Sequence, residues 1–280
     1  ATFRRNDGLT KIFKWNIGNY VYTNVDESNI DVSVLRYHYD CNDLVYCEVK
    51  TMYDGKGGRR INRAGMITQI SNYLPRTRMI CRKIKELIES YPDINRHFLV
   101  LSDRKSLLAD MYTQLTEFGI DAGHYVGGMK KEALAISATK QVVLSTYPMA
   151  REGLDIKSLN VLILATPVTD VEQACGRILR GVTFDVQPIV MDWLDVFAPF
   201  IGNARKRETY YKKVKYNIRN IIIKKDGTME EKKQSPLNYN KKGYVDETID
   251  ENPKIYVSPR LDSKPTADKK IKSKSKKGLD

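Results

Sequence analysis

The 280-residue sequence lacks the patterns that mark metal-binding, disulfide-bonded and membrane-spanning proteins. Its four cysteines form no Cys-x-x-Cys pair, and its three histidines are too scattered to indicate a zinc site. Such sparse thiols are typical of a reducing, intracellular compartment. No apolar run approaches the ~18 residues of a membrane helix, and no signal-peptide segment is present. We therefore expect no metal site and no membrane partner.

Two motifs of nucleotide-binding enzymes are absent as well. The segment DGKGGRR, residues 54–60, contains glycine and lysine but does not follow the spacing G-x-x-x-x-G-K-[ST], so it is not a P-loop. We expect an exposed basic loop there that contacts phosphates. No Asp-Glu pair follows an apolar strand. Because the chain opens on Ala1 rather than Met, we expect a processed product, an excised domain or a fragment.

Positive charge is in excess, since 47 Lys and Arg residues against 34 Asp and Glu residues give a formal net charge of +13. This excess favours polyanionic partners. Residues 221–280 are rich in Lys, Asp, Ser, Asn and Pro, and they have too few large apolar side chains to offset the entropy of ordering. We predict a disordered basic tail that holds nucleic acid, carries a localisation signal or only keeps the protein soluble.

The central part of the chain alternates between short apolar runs and amphipathic helical patterns. Such alternation with short connections predicts an α/β fold, a parallel sheet with helices on both faces. The predicted strands are 98–101, 122–126, 141–145, 161–165 and 188–193.

The region before this alternation has a different pattern. Residues 1–20 predict a short amphipathic helix, and the β-rich runs 32–39 and 44–51 predict a hairpin. Residues 63–90 predict two helices separated at Pro75. We therefore divide the chain into a connecting segment with a hairpin (1–62), an α/β domain (63–220) and the basic tail (221–280).

A candidate ligand site lies between residues 144 and 181, where polar residues follow buried strands. The segment 169–172, Thr-x-x-Glu, predicts a capping box for a helix that begins near Asp170. Gln173, Arg177 and Arg180 then fall on one face of that helix. Two permanently charged, planar guanidinium groups suit a phosphate whose charge increases during transfer. The carboxyl ends of parallel strands are where open α/β sheets bind ligands.

Three segments in their order match a known pattern. STYPMAREGLDI (145–156) resembles motif V, EQACGRILR (172–180) resembles motif VI, and HFLVLSDRKSLL (97–108) resembles motif IV of the second RecA-like lobe of superfamily 2 helicases. The segments YVGGMKKE, LNVLILATP and DWLDVF resemble more closely the DNA-dependent ATPase/helicases of large cytoplasmic DNA viruses, including the poxvirus transcript-release type. The resemblance covers about residues 1–220, with 1–62 as the connection between lobes.

This resemblance implies a role for each matching residue. Arg177 and Arg180 would contact the γ-phosphate of ATP across the cleft between two lobes. Gln173 and Asp155 would lie near the nucleotide and couple it to motif V, and Gly153 would permit a tight turn. The residues that would line the nucleic-acid backbone are Ser102, Arg104, Gly127, Gly128, Ser145 and Thr146. The segment from 146 to 153 is one residue longer than in several members of this superfamily, which leaves open which hydroxyl meets phosphate.

ATP and Mg²⁺ would both require the first RecA-like lobe of the same protein, because the P-loop and the Asp-Glu motif are absent from these 280 residues. We therefore expect the chain alone to bind nucleic acid weakly, with DNA favoured over RNA, and not to hydrolyse ATP. Two alternatives stay open, a non-hydrolysing nucleic-acid-binding module and a lobe of a restriction-enzyme or remodeller motor. The expected location is intracellular, and for a viral protein the host cytoplasm or the virion.

Overall fold

The computed structural model describes residues 31–53, 55, 58–152, 154–179, 186–224, 227–233, 237–240 and 243–246. The strands are β1 (Ser33–Tyr39), β2 (Thr51–Tyr53), β3 (Arg59–Ile61), β4 (Phe98–Ser102), β5 (Ala122–Tyr125), β6 (Val142–Thr146), β7 (Val161–Leu164), β8 (Ile189–Asp195), β9 (Asn217–Ile223), β10 (Met229–Lys232), β11 (Leu237–Asn240) and β12 (Gly243–Asp246). The helices are α1 (Leu44–Cys47), α2 (Arg63–Ser71), α3 (Leu74–Ser90), α4 (Lys105–Glu117), α5 (Lys131–Ala138), α6 (Tyr147–Glu152), α7 (Glu172–Ile178) and α8 (Ile201–Lys213).

Within the described residues, the main sheet has eight strands in the order β10-β9-β1-β8-β7-β4-β6-β5. All neighbouring pairs are parallel except β10 with β9, which is antiparallel. On one face, Phe98 and Val100 of β4 pack in a core with side chains of α3 and α4. On the other face, Leu99 and Leu101 pack with side chains of α6 and α7. Since helices cover both faces, the predicted α/β class is confirmed.

The direction in which successive strands are added to the sheet reverses between β4 and β7. From β4 the chain continues through α4 to β5 at one edge, whereas from β7 it continues through α7 to β8 on the opposite side. Because β4 and β7 are neighbours, their connections diverge and leave a crevice at their carboxyl ends. That crevice is the usual ligand position in an open α/β sheet.

The predicted hairpin of residues 32–39 with 44–51 is wrong. β1 instead lies in the middle of the sheet, parallel to both β8 and β9. Residues 44–47 form a helical turn because Asp43 Oδ1 accepts a hydrogen bond from the Val45 amide at 2.9 Å, which caps it. The turn also buries the Tyr46 ring completely. The hairpin in this region is formed later, by β2 and β3.

The ends of the chain depart from the predicted organisation. β1 and the β9–β10 pair extend the sheet beyond residues 63–220, and β10, β11 and β12 lie within the segment predicted to be a disordered tail. For residues 229–232, 237–240 and 243–246 that prediction is therefore wrong, because cross-strand pairing supplies the backbone partners that composition alone does not reveal. The predicted helix within 1–20 and the tail beyond 246 lie outside the described residues. The domain limits themselves stay predictions.

The helix break predicted at Pro75 is confirmed. α2 ends at Ser71, and α3 begins at Leu74 with Pro75 in its first turn, where a missing amide proton costs nothing. Gly119 ends α4 in the left-handed region at φ 74°, which favours glycine. No helix among the described residues is long and apolar enough to cross a membrane.

Buried His38 on β1 predicts a loss of stability in acid. Burial, reinforced by Arg36, lowers the pKa of His38 to about 3, although hydrogen bonding to Asn220 and the charge of Glu208 oppose this shift. Below about pH 6.5 His38 is therefore protonated in the unfolded chain but stays neutral in the folded chain. The free energy of unfolding falls as the pH falls toward the pKa of His38 in the folded state. Between about pH 7 and pH 5 the free energy of unfolding should drop by about 2 kcal/mol from this group.

Urea unfolding of the wild-type chain and of His38→Gln at the two pH values measures this contribution. The variant should lose about 2 kcal/mol less between them than the wild type does. The matched control is His124→Gln, because the His124 ring is only partly buried against Tyr112. An acid sensitivity that His38→Gln leaves unchanged would show that this imidazole is not the group responsible.

Candidate functional site

The carboxyl ends of β4, β6 and β7 bring three of the sequence motifs to one edge of the sheet. In the parallel register, Ser102 of β4 is level with Thr146 of β6, and Leu101 is level with Leu164 of β7. Residues from motif IV and motif V are thus neighbours across the sheet. The α7 helix, which carries motif VI, follows β7 at the same edge.

The predicted hydroxyl groups differ in their exposure. Ser102 and Ser145 are completely buried. The Ser102 hydroxyl accepts a hydrogen bond from the Arg104 amide at 3.0 Å, and the Ser145 hydroxyl donates to the Thr146 carbonyl at 3.3 Å. Thr146 is partly exposed. In this conformation Ser102 shapes the turn that presents Arg104, and Thr146 is the hydroxyl placed nearest to solvent.

Arg104 joins the turn after β4 to helix α2. Its Nε donates to Thr68 Oγ1 at 3.0 Å, and its Nη2 donates to the Ala64 carbonyl at 3.0 Å. The neighbouring Lys105 Nζ donates to the Gly127 carbonyl at 2.8 Å. Gly127 and Gly128 are exposed, and Gly128 has φ 94°. Motif IV, the double-glycine turn and the start of α2 therefore form one continuous surface.

Helix α7 begins later than predicted, and the predicted capping box is wrong. The Glu172 amide donates to Asp170 Oδ1 at 3.3 Å, two residues back, while Val171 occupies the N-cap position without a side-chain cap. An Asx-type turn at Asp170 thus precedes the helix. The buried face of α7 follows the pattern expected from the sequence, with Cys175 1% and Ile178 2% exposed.

Arg177 connects α7 to the turn that follows α6. Its two terminal nitrogens donate to the carbonyls of Leu154 at 2.6 Å and Arg151 at 2.7 Å. Motif VI and motif V are therefore directly hydrogen-bonded. Gln173 lies one turn earlier on α7 and is exposed, as is Asp155 beyond the turn. Gly176 is also exposed, and a Cβ added there would meet open space, so no part of the described chain requires a glycine.

Two predicted site residues, Gly153 and Arg180, lie outside the described residues. A partly open pocket of about 250 Å³ lies at the crevice. It is lined by Leu101, Tyr147, Ala150, Arg151, Asp170, Gln173 and Ala174. The amide and guanidinium groups at its rim suit phosphate oxygens. Among the described residues, no group of three or more His, Cys, Asp or Glu side chains could hold a metal ion.

Two buried arginines, which the sequence interpretation missed, hold the loop between β7 and α7. The first is Arg76 of α3, whose Nε donates to Asp195 Oδ1 at 2.7 Å and whose Nη1 donates to the Ala165 carbonyl at 2.8 Å. The Tyr46 hydroxyl donates to the same carboxylate oxygen at 2.5 Å. Burial opposes the charged form of Arg76, but the charge and hydrogen bonding of Asp195 together with Tyr46 and Tyr39 outweigh it, and the pKa of Arg76 is raised.

The second is Arg207 of α8. Its Nε lies 2.9 Å from Asp192 Oδ1, and its Nη1 donates to the Val168 carbonyl at 2.6 Å. Burial lowers and Asp192 raises the pKa of Arg207, and the net effect is upward. One sequence signal indicates these pairs, because Asp192 and Asp195 interrupt an apolar strand and buried carboxylates require partners.

The loop from 165 to 168 is thereby held along its length. Besides the two arginines, the Tyr147 hydroxyl donates to the Thr166 carbonyl at 2.8 Å, and Thr166 Oγ1 accepts from the Asp103 amide at 2.9 Å. Elements on both faces of the sheet and the turn after β4 therefore all contribute to the position of this loop. Since the loop leads into α7, these contacts also orient the helix that carries Arg177.

Comparison with known proteins identifies viral relatives. The chain is 36% identical over 259 residues to "Putative ATP-dependent RNA helicase L396" of Acanthamoeba polyphaga mimivirus, a match that covers 91% of this chain and 48% of that protein. It is 34% identical over 94 residues to the protein of African swine fever virus given the same description, QP509L, covering 33% of this chain and 18% of that protein. The chain thus spans about half the length of the mimivirus relative. No protein-family model matches.

The fold is also similar to a solved structure. The crystal structure of T4 UvsW superposes with a TM-score of 0.52 at 16% sequence identity, over 69% of this chain and 41% of that chain. At this identity the similarity concerns the fold alone. The chain is thus similar in sequence to viral proteins designated putative ATP-dependent RNA helicases and similar in fold to T4 UvsW, as its resemblance to the second RecA-like lobe of superfamily 2 helicases predicts.

Proposed function

We propose that this chain is the lobe of an ATP-dependent nucleic-acid helicase or translocase that supplies arginine contacts to ATP and backbone contacts to nucleic acid. The observation that carries this proposal is the pair of hydrogen bonds from Arg177 to the Leu154 and Arg151 carbonyls. They join the helix expected to face the nucleotide to the turn expected to face nucleic acid. A change in the position of the helix should therefore move the turn, and a change in the turn should move the helix.

Arg177 fits the expected phosphate contact only with a rearrangement. A guanidinium has five N–H donors in a fixed plane, and here two of its terminal nitrogens are bound to backbone carbonyls. Phosphate oxygens presented by a first lobe carry full charge and make stronger hydrogen bonds than neutral carbonyls do. We infer that Arg177 exchanges carbonyls for phosphate when ATP binds, which releases the turn at 151–154.

ATP would supply the phosphoryl group whose hydrolysis drives movement, and Mg²⁺ would accompany it. This chain's expected contribution is Gln173, Arg177 and Arg180 on one side of the nucleotide, with Asp155 and Gly153 in the adjoining turn. The phosphate cradle and the metal ligands would come from the first lobe. The relatives' designation as putative ATP-dependent helicases supports the use of ATP.

Nucleic acid would follow the carboxyl edge of the sheet past Thr146, Arg104, Gly127 and Gly128. Arginine, hydroxyl and backbone N–H groups are the usual partners of phosphate oxygens. The sequence resemblance favours DNA, whereas the mimivirus and African swine fever virus relatives are designated RNA helicases. The viral origin of these relatives supports a location in the host cytoplasm or the virion.

Binding to single-stranded oligonucleotides tests the nucleic-acid part of this proposal. The 280-residue chain should bind oligothymidylate and oligouridylate of about 20 nucleotides weakly and without ATP hydrolysis, with an affinity that falls steeply with salt. Arg104→Gln should lower the affinity and reduce the slope of log K against log salt by about 0.7, the value for one lost contact with single-stranded phosphate.

The matched control is Arg82→Gln, because Arg82 is exposed on α3 outside the motifs. It should leave both affinity and slope unchanged. No binding by the wild-type chain, or equal losses in the two variants, would contradict the assigned surface. Robust ATP turnover by the chain alone would contradict the division of labour between two lobes. The preferred oligonucleotide would decide between DNA and RNA.

A non-hydrolysing binding module is the second candidate for the chain taken by itself. The specific observation in its favour is the absence of a P-loop and of an Asp-Glu motif after an apolar strand. In a protein with both lobes the two candidates differ in one respect. Arg177→Ala should abolish ATP turnover in a helicase, whereas a binding module has no turnover to lose.

A further inference from the structure

The hairpin of β2 and β3 is an exposed structure that no motif explains. Tyr53 is 71% exposed, and the apolar side chains of Met52 and Ile61 are 41% and 45% exposed. Arg59 and Arg60 are exposed as well. In the register, Tyr53 is opposite Arg59 and Met52 is opposite Arg60, so one face carries Tyr53 and Ile61 beside Arg59 and the other carries Met52 beside Arg60.

Contacts within this hairpin do not account for its stability. An isolated two-stranded hairpin is at best marginally stable in water, and stable sheets bury at least one face. Here both faces of β2 and β3 are exposed, and the two strands form a separate sheet. The Tyr53 ring is nevertheless held, because the Arg59 guanidinium lies 5.4 Å from its centroid. A stacking surface with a cation at its side is therefore already arranged.

The hairpin adjoins the surface proposed to bind nucleic acid. β3 ends at Ile61, and the Asn62 amide donates to the Lys50 carbonyl at 2.7 Å, which closes the base of the hairpin. Asn62 then caps α2 through a bond from the Gly65 amide at 2.9 Å. Ala64, in the first turn of α2, accepts the hydrogen bond from Arg104. Only two residues, Asn62 and Arg63, thus separate β3 from the partner of Arg104.

Charge identifies the chemistry of the occupant. Among the described residues between 49 and 63 there are four Lys or Arg residues and no Asp or Glu. An apolar or cationic protein surface would not complement this charge, whereas a nucleic-acid strand offers phosphates for the arginines and bases for the tyrosine. Alternating cations and aromatic rings are the usual means of binding single strands without sequence preference.

We propose that the β2–β3 hairpin is a second nucleic-acid site, which binds the single strand where it continues beyond Arg104. Tyr53 stacks on a base, and Arg59, on the same face of the hairpin, pairs with a flanking phosphate. This inference rests on the proposed function, because it extends the same strand from the same edge of the sheet. Residues 54, 56 and 57 of the loop lie outside the described residues and have no part in it.

Fluorescence anisotropy with labelled oligothymidylate of about 20 nucleotides tests the site. Tyr53→Ala should lower the affinity of the 280-residue chain about 10-fold, the loss of one stacked base. Tyr53→Phe keeps the ring and should bind as the wild type does. Arg59→Gln should reduce the salt slope by about 0.7, whereas Arg60→Gln, on the opposite face, should leave it nearly unchanged.

The matched control is Tyr91→Ala. Tyr91 is 50% exposed but follows α3, on the way to the amino end of β4 and so at the opposite edge of the sheet. It should bind normally. As a second measurement, photo-crosslinking of the wild-type chain to bromodeoxyuridine-substituted oligothymidylate, followed by peptide mass spectrometry, should yield a crosslink at Tyr53.

Each outcome separates this inference from the proposed function. Wild-type affinity of Tyr53→Ala together with weakened binding by Arg104→Gln would overturn the hairpin site alone, and would leave the hairpin as a surface for another macromolecule. Crosslinks confined to residues outside 51–61 would also overturn it. No binding by the wild-type chain would contradict the proposed function itself. Losses in both variants support the two together.

Discussion

Replacing Arg177 by alanine in a protein that carries both lobes is expected to lower nucleic-acid-stimulated ATP hydrolysis by about 10³-fold or more. The reason is that a guanidinium placed against the transferring phosphoryl group neutralises charge that develops only in the transition state. Arg177→Lys should recover little of this loss, because an ammonium group does not reproduce two parallel hydrogen bonds. Nucleic-acid affinity should persist in both variants, since Arg104 and the carboxyl edge are unchanged.

The structure adds a second role for Arg177 that the experiment must separate. The guanidinium holds the Leu154 and Arg151 carbonyls, so its removal also loosens the turn after α6. Steady-state phosphate release gives the catalytic effect, and urea unfolding of the same variant gives the structural one. A fall in kcat without a matching loss of stability supports contact with phosphate.

The matched control for Arg177 is Arg82→Ala, an exposed arginine on α3 away from the crevice. It should hydrolyse ATP at the wild-type rate. Near wild-type turnover by Arg177→Ala would contradict the assignment of this residue as an arginine finger. A large loss of turnover accompanied by an equal loss of nucleic-acid binding would instead indicate that the turn, rather than the phosphate contact, is what the residue serves.

The central strands, and the functional edge at their carboxyl ends, were predictable because their signals are local. A buried parallel strand such as β4 appears as a short continuous apolar run, and the polar residues that follow it fall at a functional edge. The positions of Cys175 and Ile178 followed from helical periodicity in the same way. These features depend on residues within one turn or one strand of each other.

The remaining features depend on contacts that are distant in sequence. β1 resembles a hairpin strand until β8 and β9, more than 150 residues later, provide its partners. The helical turn at 44–47 overrides its β propensity because Asp43 caps it and Tyr46 reaches Asp195. Tertiary contacts of this kind outweigh a local preference worth at most about 1 kcal/mol.

The two arginine clamps show how distant contacts determine the site. Asp192 lies in the middle of β8 and Asp195 at its end, and each fixes one arginine that holds a carbonyl of the 165–168 loop. Because Arg76 belongs to α3 and Arg207 to α8, the loop is hydrogen-bonded to elements from separate parts of the chain. The position of α7 therefore depends on the whole sheet and not only on its own sequence.

Breaking one clamp should have the largest effect on stability. Arg76→Met is expected to lower the free energy of unfolding by about 3–5 kcal/mol, because it leaves the Asp195 carboxylate buried without its cation. Replacing all three partners, with Arg76→Met, Asp195→Leu and Tyr46→Phe, should recover most of this loss, since an apolar cluster of similar volume carries no unpaired charge. Urea unfolding followed by circular dichroism measures both changes.

Arg76 donates to both oxygens of Asp195, through Nε and Nη2. A matched control is a second arginine–carboxylate pair that has the same bidentate geometry but lies at the surface. Arg219 donates to Glu231 through Nε at 2.8 Å and Nη2 at 2.6 Å, with both side chains about half exposed. Arg219→Met should cost at most about 1 kcal/mol, because water solvates the carboxylate that remains. Equal costs for the two substitutions would show that burial of Asp195 is not what makes the clamp strong. A triple variant no more stable than Arg76→Met would show that shape, rather than charge pairing, holds the loop that orients Arg177.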